Sequence, residues 1–240
     1  MLIPEGETFD RCRRVYRGEA EAYDALVEVE DCEGRLLPAI ESVAPLAGRA
    51  VLDVGAGTGR VSRLVAPHCA RLVAAEIEPH MLRVARRRLA GMGAAHASCV
   101  AADARGLPFA DSTFDVVIAG WVFGHFTFWA REAWRANAAR AIGEMRRVAR
   151  PGGALILFET MGTAALEPAP PAPELAAYYA WLEDTMGFER QLLRTDFRFE
   201  SVDAAAEACG FFFGESYGRL VREKRWARVP EWTGMWWRGA

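Results

Sequence analysis

One short run puts an acid beside three alternating glycines: Val51-Leu52-Asp53-Val54-Gly55-Ala56-Gly57-Thr58-Gly59-Arg60. The aliphatic residues read as a strand, the glycines as a tight turn, and Arg60 as the start of a helix. Glycine adopts positive φ readily and lets a ligand lie on bare backbone. Open α/β sheets bind ligands at the carboxyl ends of their strands, beside such turns. The spacing speaks against a dinucleotide, whose G-x-G-x-x-G fingerprint would put its last glycine where Arg60 stands. Asp53 would repel a pyrophosphate but suits an amine. The chemistry implied is the binding of a small molecule with an amino-acid end.

The elements that hold this turn follow from periodicity. Charged sequence from Thr8 to about Glu33, with Val15, Tyr16, Tyr23, Leu26 and Val27 at helical intervals, predicts one or two helices. Another is expected over Arg35 to Val43. Strands are expected at Arg49 to Val54, Arg71 to Glu76, Ala97 to Ala102, Phe114 to Ala119 and Ala154 to Phe158. Helices fall between them: Arg60 to Ala66, one opened by Pro79 and stopped by Gly91, and a long one from about Ala130 to Ala149. This alternation implies a doubly wound, mostly parallel sheet. Beyond it come a proline-rich loop at Pro168 to Pro173 and a helix over Glu174 to Met186. A helix at Ser201 to Cys209 is ended by Gly210. A closing pair of strands is expected over Phe211 to Tyr217 and Leu220 to Val229, then an aromatic tail.

Four segments in order resemble the class I S-adenosylmethionine-dependent methyltransferases of the small-molecule kind called methyltransferase type 11. They are the glycine turn, Ala75-Glu76-Ile77-Glu78-Pro79-His80-Met81-Leu82, Ala102-Asp103-Ala104-Arg105-Gly106-Leu107-Pro108-Phe109, and Phe114 to Gly120 with the later Glu144 to Gly153. The resemblance implies a Rossmann-like, seven-stranded sheet with an antiparallel final strand and helical cap elements. It implies that Glu76 holds the cofactor's ribose hydroxyls and Asp103 the adenine amine, while Ile77 and Met81 sandwich the purine. Carboxylates accept only, which suits both acids. Asp53, Gly55, Ala56, Gly57 and Gly59 would carry the methionine portion, with Ala104, Gly120 and Trp121 nearby. Tyr16 and Tyr23 either close over the cofactor or pack as an aromatic helix face. His125 follows the fourth strand, near the place of methyl transfer, and is either a general base or a structurally satisfied ring.

The implied activity is transfer of a methyl group from S-adenosylmethionine, leaving S-adenosylhomocysteine, to an apolar or aromatic small molecule by in-line displacement. Such transfer needs positioning more than reactive side chains, because a sulfonium is a good leaving group. The alternative is a cofactor-binding regulatory protein without turnover on the same fold. A single domain is expected over 1–240: a helical cap at 1–46, the cofactor core at 47–160, a cap insertion at 161–200, and a helix with strands at 201–240.

The chain has 240 residues with a net charge of −3, and 29 of its side chains are Lys or Arg. That balance argues against a nucleic-acid partner. No apolar run is long enough for a membrane span, and Met1 to Arg14 has no signal-peptide core. The five cysteines, Cys12, Cys32, Cys69, Cys99 and Cys209, lack C-x-x-C spacing. This points to reduced, mostly buried thiols in a cytoplasm; a monomer or homodimer is expected, the sequence leaving open which. The four histidines are dispersed, so no metal is expected. Arg86-Arg87-Arg88 reads as a solvated helix face. Tyr178, Tyr179 and Trp181 form a lid or cap packing. Trp226, Trp232, Trp236 and Trp237 edge the sheet, line a pocket or make a dimer surface.

Overall fold

Three helices precede the first strand: α1 (Gly6–Gly18), α2 (Ala20–Glu28) and α3 (Leu36–Val43). The computed structural model describes residues 6–240, with side chains from residue 10 onward; the polar reading of residues 1–5 lies outside the described residues. The chain then alternates through β1 (Ala50–Val54), α4 (Arg60–Val65), β2 (Arg71–Glu76), α5 (Pro79–Gly91), β3 (Ala97–Ala101) and β4 (Phe114–Gly120). After β4 come α6 (Phe126–Trp129), α7 (Trp134–Val148), β5 (Ala149–Thr163) and α8 (Pro173–Asp184). The remainder is β6 (Glu189–Arg194), β7 (Phe197–Arg198), α9 (Val202–Phe213), α10 (Glu215–Lys224), β8 (Arg228–Val229) and β9 (Glu231–Gly239).

Seven strands form one sheet in the order β3-β2-β1-β4-β5-β9-β6. β1 through β5 pair in parallel, and β9 runs antiparallel to both β5 and β6. The architecture is the doubly wound, mostly parallel sheet expected. Strand order reverses between β1 and β4, and such a switch point opens a crevice at the carboxyl ends of the strands.

β4 shows why the sheet forms. Its residues alternate between two apolar layers: Val116 and Ile118 face Ile40 of α3 and Val65 of α4, while Val117 and Ala119 face Ala141 and Met145 of α7. A strand covered on both faces is apolar throughout. Each such aliphatic side chain contributes about 1.5–3 kcal/mol on burial.

Several expectations need correction. The long helix begins at Trp134 rather than near Ala130, because Ala130 leaves helical geometry (φ −143, ψ 50) after the short aromatic turn α6. β5 runs well past Ala154 to Phe158 on both sides, and its register with β4 shifts between Phe114 and Val116. α7 ends at Val148, where Ala149 turns extended, and Pro151-Gly152 lies within β5 rather than at the helix end. The closing pair of strands over Phe211 to Tyr217 and Leu220 to Val229 does not form; only Arg228–Val229 of that span is a strand, β8, and it pairs with β7. Phe211 to Phe213 continues α9, and Tyr217 to Lys224 lies in α10. Packing overrides strand propensity here: Phe212, Tyr217 and Val221 bury one helical face against Cys12, Val15 and Leu26. Gly210 does not stop α9 but lies where α10 crosses closely; a Cβ on Gly218 would sit 2.7 Å from the Ala206 carbonyl oxygen. The aromatic tail is β9, inside the sheet.

Candidate active site

The turn between β1 and α4 uses its glycines differently. Gly57 (φ +57) faces open space: a Cβ there would meet only Met81 Cε at 3.5 Å and Tyr23 at 3.9 Å. Gly59 (φ +87) instead presses α4 onto α5, since its Cβ would come within 3.2 Å of Ala85 Cβ. The turn opens onto a cavity of about 390 Å³ at the carboxyl ends of β1, β2 and β4. Of the residues expected at the site, Tyr16, Tyr23, Asp53, Gly55, Ala56, Gly57, Glu76, Ile77, Met81, Asp103, Ala104, Gly120, Trp121 and His125 all line it. Gly59 does not; its place is the helix contact.

The acids are held in different ways. Asp53 is buried and accepts a hydrogen bond from Ser62 Oγ at 2.6 Å. Burial pushes its carboxyl up to about 7. Glu76 is pinned by two backbone donors: Oε2 accepts from Gly57 N–H at 2.9 Å and Oε1 from Glu78 N–H at 2.8 Å. Burial raises its carboxyl too, against the pull of those donors. Asp103 sits at the rim, and the Arg105 guanidinium at 2.6 Å holds its carboxyl below the usual range. Ile77 stands 57% exposed at the mouth, an apolar side chain with nothing on its outer side.

A roof of α1 and α2 covers the cavity, and it is fastened by charge. Asp24, fully buried, accepts from Arg63 of α4 at 3.0 Å and from Arg88 of α5 at 2.6 Å. Glu21 takes Arg87 in two bonds of 2.7 and 2.6 Å. Two residues of the Arg86-Arg87-Arg88 run are therefore clamps, not a free solvated face. The roof lowers Tyr16 and Tyr23 into the cavity. Tyr16 Oη lies 3.3 Å from His125 Nε2, and His125 Nδ1 lies 3.3 Å from the Val122 carbonyl. A carbonyl only accepts, so Nδ1 carries the proton and Nε2 accepts from the tyrosine. Burial pushes His125 down to about 4, leaving it neutral. A base so far from neutrality and already hydrogen-bonded suits positioning better than proton removal.

A second cavity, about 130 Å³, adjoins the first and shares Tyr16, Tyr23, Arg60, Trp121 and His125 as walls. Phe128, Phe197, Phe212, Phe213 and Tyr217 give it an aromatic lining. Three buried acids also face it. Glu30 pairs with Arg60 at 2.8 Å, and Arg60 lies over the Trp121 ring at 3.8 Å. Glu159, at the carboxyl end of β5, accepts from Gly124 N–H at 2.9 Å and is pushed up to about 8 by burial. Glu231 of β9 is held well above the usual range by burial.

A family model for the methyltransferase domain matches residues 52–157. A demethylmenaquinone methyltransferase of Clavibacter sepedonicus is 39% identical over 118 residues, 49% of this chain and 44% of the relative. A ubiquinone/menaquinone biosynthesis C-methyltransferase of Pseudomonas putida is 34% identical over 165 residues, 65% of this chain and 60% of the relative. The chain thus spans 44% to 60% of the length of these two curated relatives. A SAM-dependent methyltransferase from Aquifex aeolicus shares the fold, with a TM-score of 0.59 at 14% identity, covering 92% of this chain and 96% of that one.

The span matched by the family model supplies most of the larger cavity. The second cavity draws heavily on segments outside the matched span, from Cys12 to Glu30 and from Glu159 to Glu231. Sequence reasoning missed its acids. One signal was present: Glu159 directly follows the apolar run of a strand at the ligand-binding end of the sheet. Glu231 offered none, lying in what read as a tail. Tyr178 and Tyr179 are buried core residues, Tyr179 donating to the Thr160 carbonyl at 2.7 Å, so they pack rather than act as a lid. Trp232, Trp236 and Trp237 lie in β9 between two other strands, and neither they nor Trp226 line either of these two cavities. No helix among the described residues is long and apolar enough to cross a membrane.

Proposed function

We propose that this protein transfers a methyl group from S-adenosylmethionine to a small apolar or aromatic acceptor. The observation that carries the reading is convergence: the residues expected to hold the cofactor, Gly59 excepted, line one cavity that opens into a second, aromatic one. The cavity also suits the ligand chemically. Gly57 leaves its wall bare, Ile77 offers an uncovered apolar face, and buried Thr58 Oγ1 has no partner.

In this proposal Glu76, already oriented by two N–H groups, uses its remaining lone pairs for the ribose hydroxyls. Asp53 receives the amine, and an arriving ammonium favours its ionised form. Asp103 and Ala104 meet the adenine edge, with Arg105 sharing the Asp103 carboxylate. Ile77 and Met81 flank the ring, and Gly55, Ala56, Gly120 and Trp121 complete the floor. S-adenosylmethionine supplies an activated methyl on a leaving group that needs no acid assistance. Tyr16, Tyr23 and neutral His125 hold the junction of the cavities and exclude water, so that the acceptor approaches in line. Such positioning can contribute about 7–11 kcal/mol. The segment through residue 46 acts as the cap of a single domain, and a cytoplasmic location belongs to the same reading, with all five cysteines free thiols.

Calorimetry with S-adenosylhomocysteine tests the site. Saturable binding is expected for the native protein, weakened about a hundredfold or more in Asp53→Ala, because a buried charged contact is lost. An acceptor screen with methyl-labelled cofactor then tests turnover. A well-folded native protein that binds no S-adenosylhomocysteine overturns the proposal.

A further inference from the structure

Not every polar group of the second cavity finds a partner. Three carboxyls, Glu30, Glu159 and Glu231, face one guanidinium, Arg60. Glu30 takes that guanidinium at 2.8 Å. Glu159 and Glu231 are 4% and 3% exposed and have no cation of their own. Glu231 is the more telling. Its Oε1 accepts from Thr160 Oγ1 at 3.2 Å, but its Oε2 is buried without any partner. One terminal nitrogen of Arg60 is likewise buried and unpartnered. An orphaned buried polar atom costs about 1–3 kcal/mol, so a cavity that carries two of them is built for something that satisfies both.

The walls narrow the choice. A neutral hydrocarbon would leave both atoms orphaned. An ammonium group offers Glu231 Oε2 a donor and lets the acids ionise beside it, while the faces of Phe212, Phe213 and Tyr217 attract its positive charge. A neutral oxygen on the same molecule would accept from Arg60.

We propose that the aromatic cavity binds a basic amine, held as an ammonium ion at Glu231 and Glu159, with a neutral ether, hydroxyl or carbonyl oxygen turned to Arg60. A protonated nitrogen has no lone pair to take a methyl group, so within the methyltransferase reading, on which this rests, the amine is the handle that holds the acceptor and not the atom methylated; the binding site itself stands on its own residues. The assignment has a protonic consequence. Before the ligand arrives, burial pushes Glu159 up to about 8, so it stays protonated at neutral pH, and holds Glu231 well above the usual carboxylate range. Tyr16, Tyr23, Tyr217 and Cys12 are also raised, and His125 is lowered, so all of these stay neutral. An entering ammonium therefore draws ionisation from the acids, and a proton leaves for the buffer.

The test uses 2-phenoxyethylamine and its neutral counterpart 2-phenoxyethanol, titrated calorimetrically into the full chain at neutral pH, with and without S-adenosylhomocysteine. Each titration is run in two buffers of different ionisation enthalpy. The amine should bind at least about tenfold more tightly than the alcohol. Its heat should shift between buffers by the amount for release of up to one proton. Glu231→Gln, checked for native fold by near-ultraviolet circular dichroism, should lose about tenfold for the amine and little for the alcohol. Equal binding of the two compounds, no binding of the amine, or amine binding without proton release each overturns the proposal; the native protein alone gives these readings should the variant fail to fold. The two readings separate cleanly. Binding of S-adenosylhomocysteine without the amine keeps the methyltransferase proposal and loses this one, and amine binding with proton release but no S-adenosylhomocysteine does the reverse.

Discussion

The two adjoining cavities are built by opposite strategies. The larger is assembled from short local motifs at the ends of β1, β2 and β4, each a few residues long, so a turn and a strand end place the chemistry together. The smaller is assembled across the chain, from α1, α2, the ends of β5 and β9, and α9 and α10. Two of its buried polar atoms lack partners, whereas the acids of the larger one, Asp53, Glu76 and Asp103, are tied to backbone donors, to Ser62 or to Arg105. The contrast is between a socket fixed by local motifs and one that exists only once the tertiary fold has formed.

The strongest challenge to that contrast is removal of what the cavities share. Asp24→Ala leaves Arg63 and Arg88 facing a buried void, and loss of one partner from a buried ion pair costs about 3–5 kcal/mol. The melting temperature should fall by about 10 °C, the order expected for a chain of this size. Hydrogen exchange should rise across α1 and α2. Unchanged exchange there would mean that charge does not fasten the roof.

A pair of substitutions separates the cavities next. Glu76→Ala should weaken S-adenosylhomocysteine about a hundredfold, while Glu231→Gln should change it less than about threefold, as measured by calorimetry. Comparable losses would make the two cavities one energetic unit.

The legibility of each region follows from how it is built. Asp53, Glu76 and Asp103 could be read because each closes or follows a strand whose own pattern is visible. The five leading strands were likewise clear, since a strand covered on both faces is nearly pure aliphatic sequence. β6 was not, because it is an edge strand with four successive exposed residues and no apolar run. α9 and α10 were misread because aromatic residues favour strands in isolation, and the glycines that permit their close crossing look like stops. Glu30, Glu159 and Glu231 are brought together only by the tertiary fold, and no local spacing announces that.

A smaller effect concerns pH. Asp53 ionises above about 7, and only its ionised form attracts an ammonium. Affinity for S-adenosylhomocysteine should therefore rise from about pH 6 to about pH 8, by at most tenfold per unit below the pKa. A flat profile would detach Asp53 from the ligand's amine. The smallest effect is expected at the shared wall. With His125 pushed to about 4, the methyl-transfer rate should show no inflection near 6.5 that belongs to it. His125→Asn should slow transfer less than about tenfold, with the pH profile preserved. An inflection near 6.5 that vanishes in this variant would restore the histidine as a base.

The position of β9 also governs the order in which the sheet can be assembled. Every ladder partner of β6 lies on β9, and β9 separates β6 from β5. A chain emerging from the ribosome thus makes β6 well before it has anything in the sheet to pair with. Until β9 arrives, the flank of β5 stays an open edge, and such edges recruit other chains. The exposed, arginine-bearing face of β6 is the kind of sequence that can wait in water without aggregating, so the strand least legible by pattern is also the one best suited to being last in place.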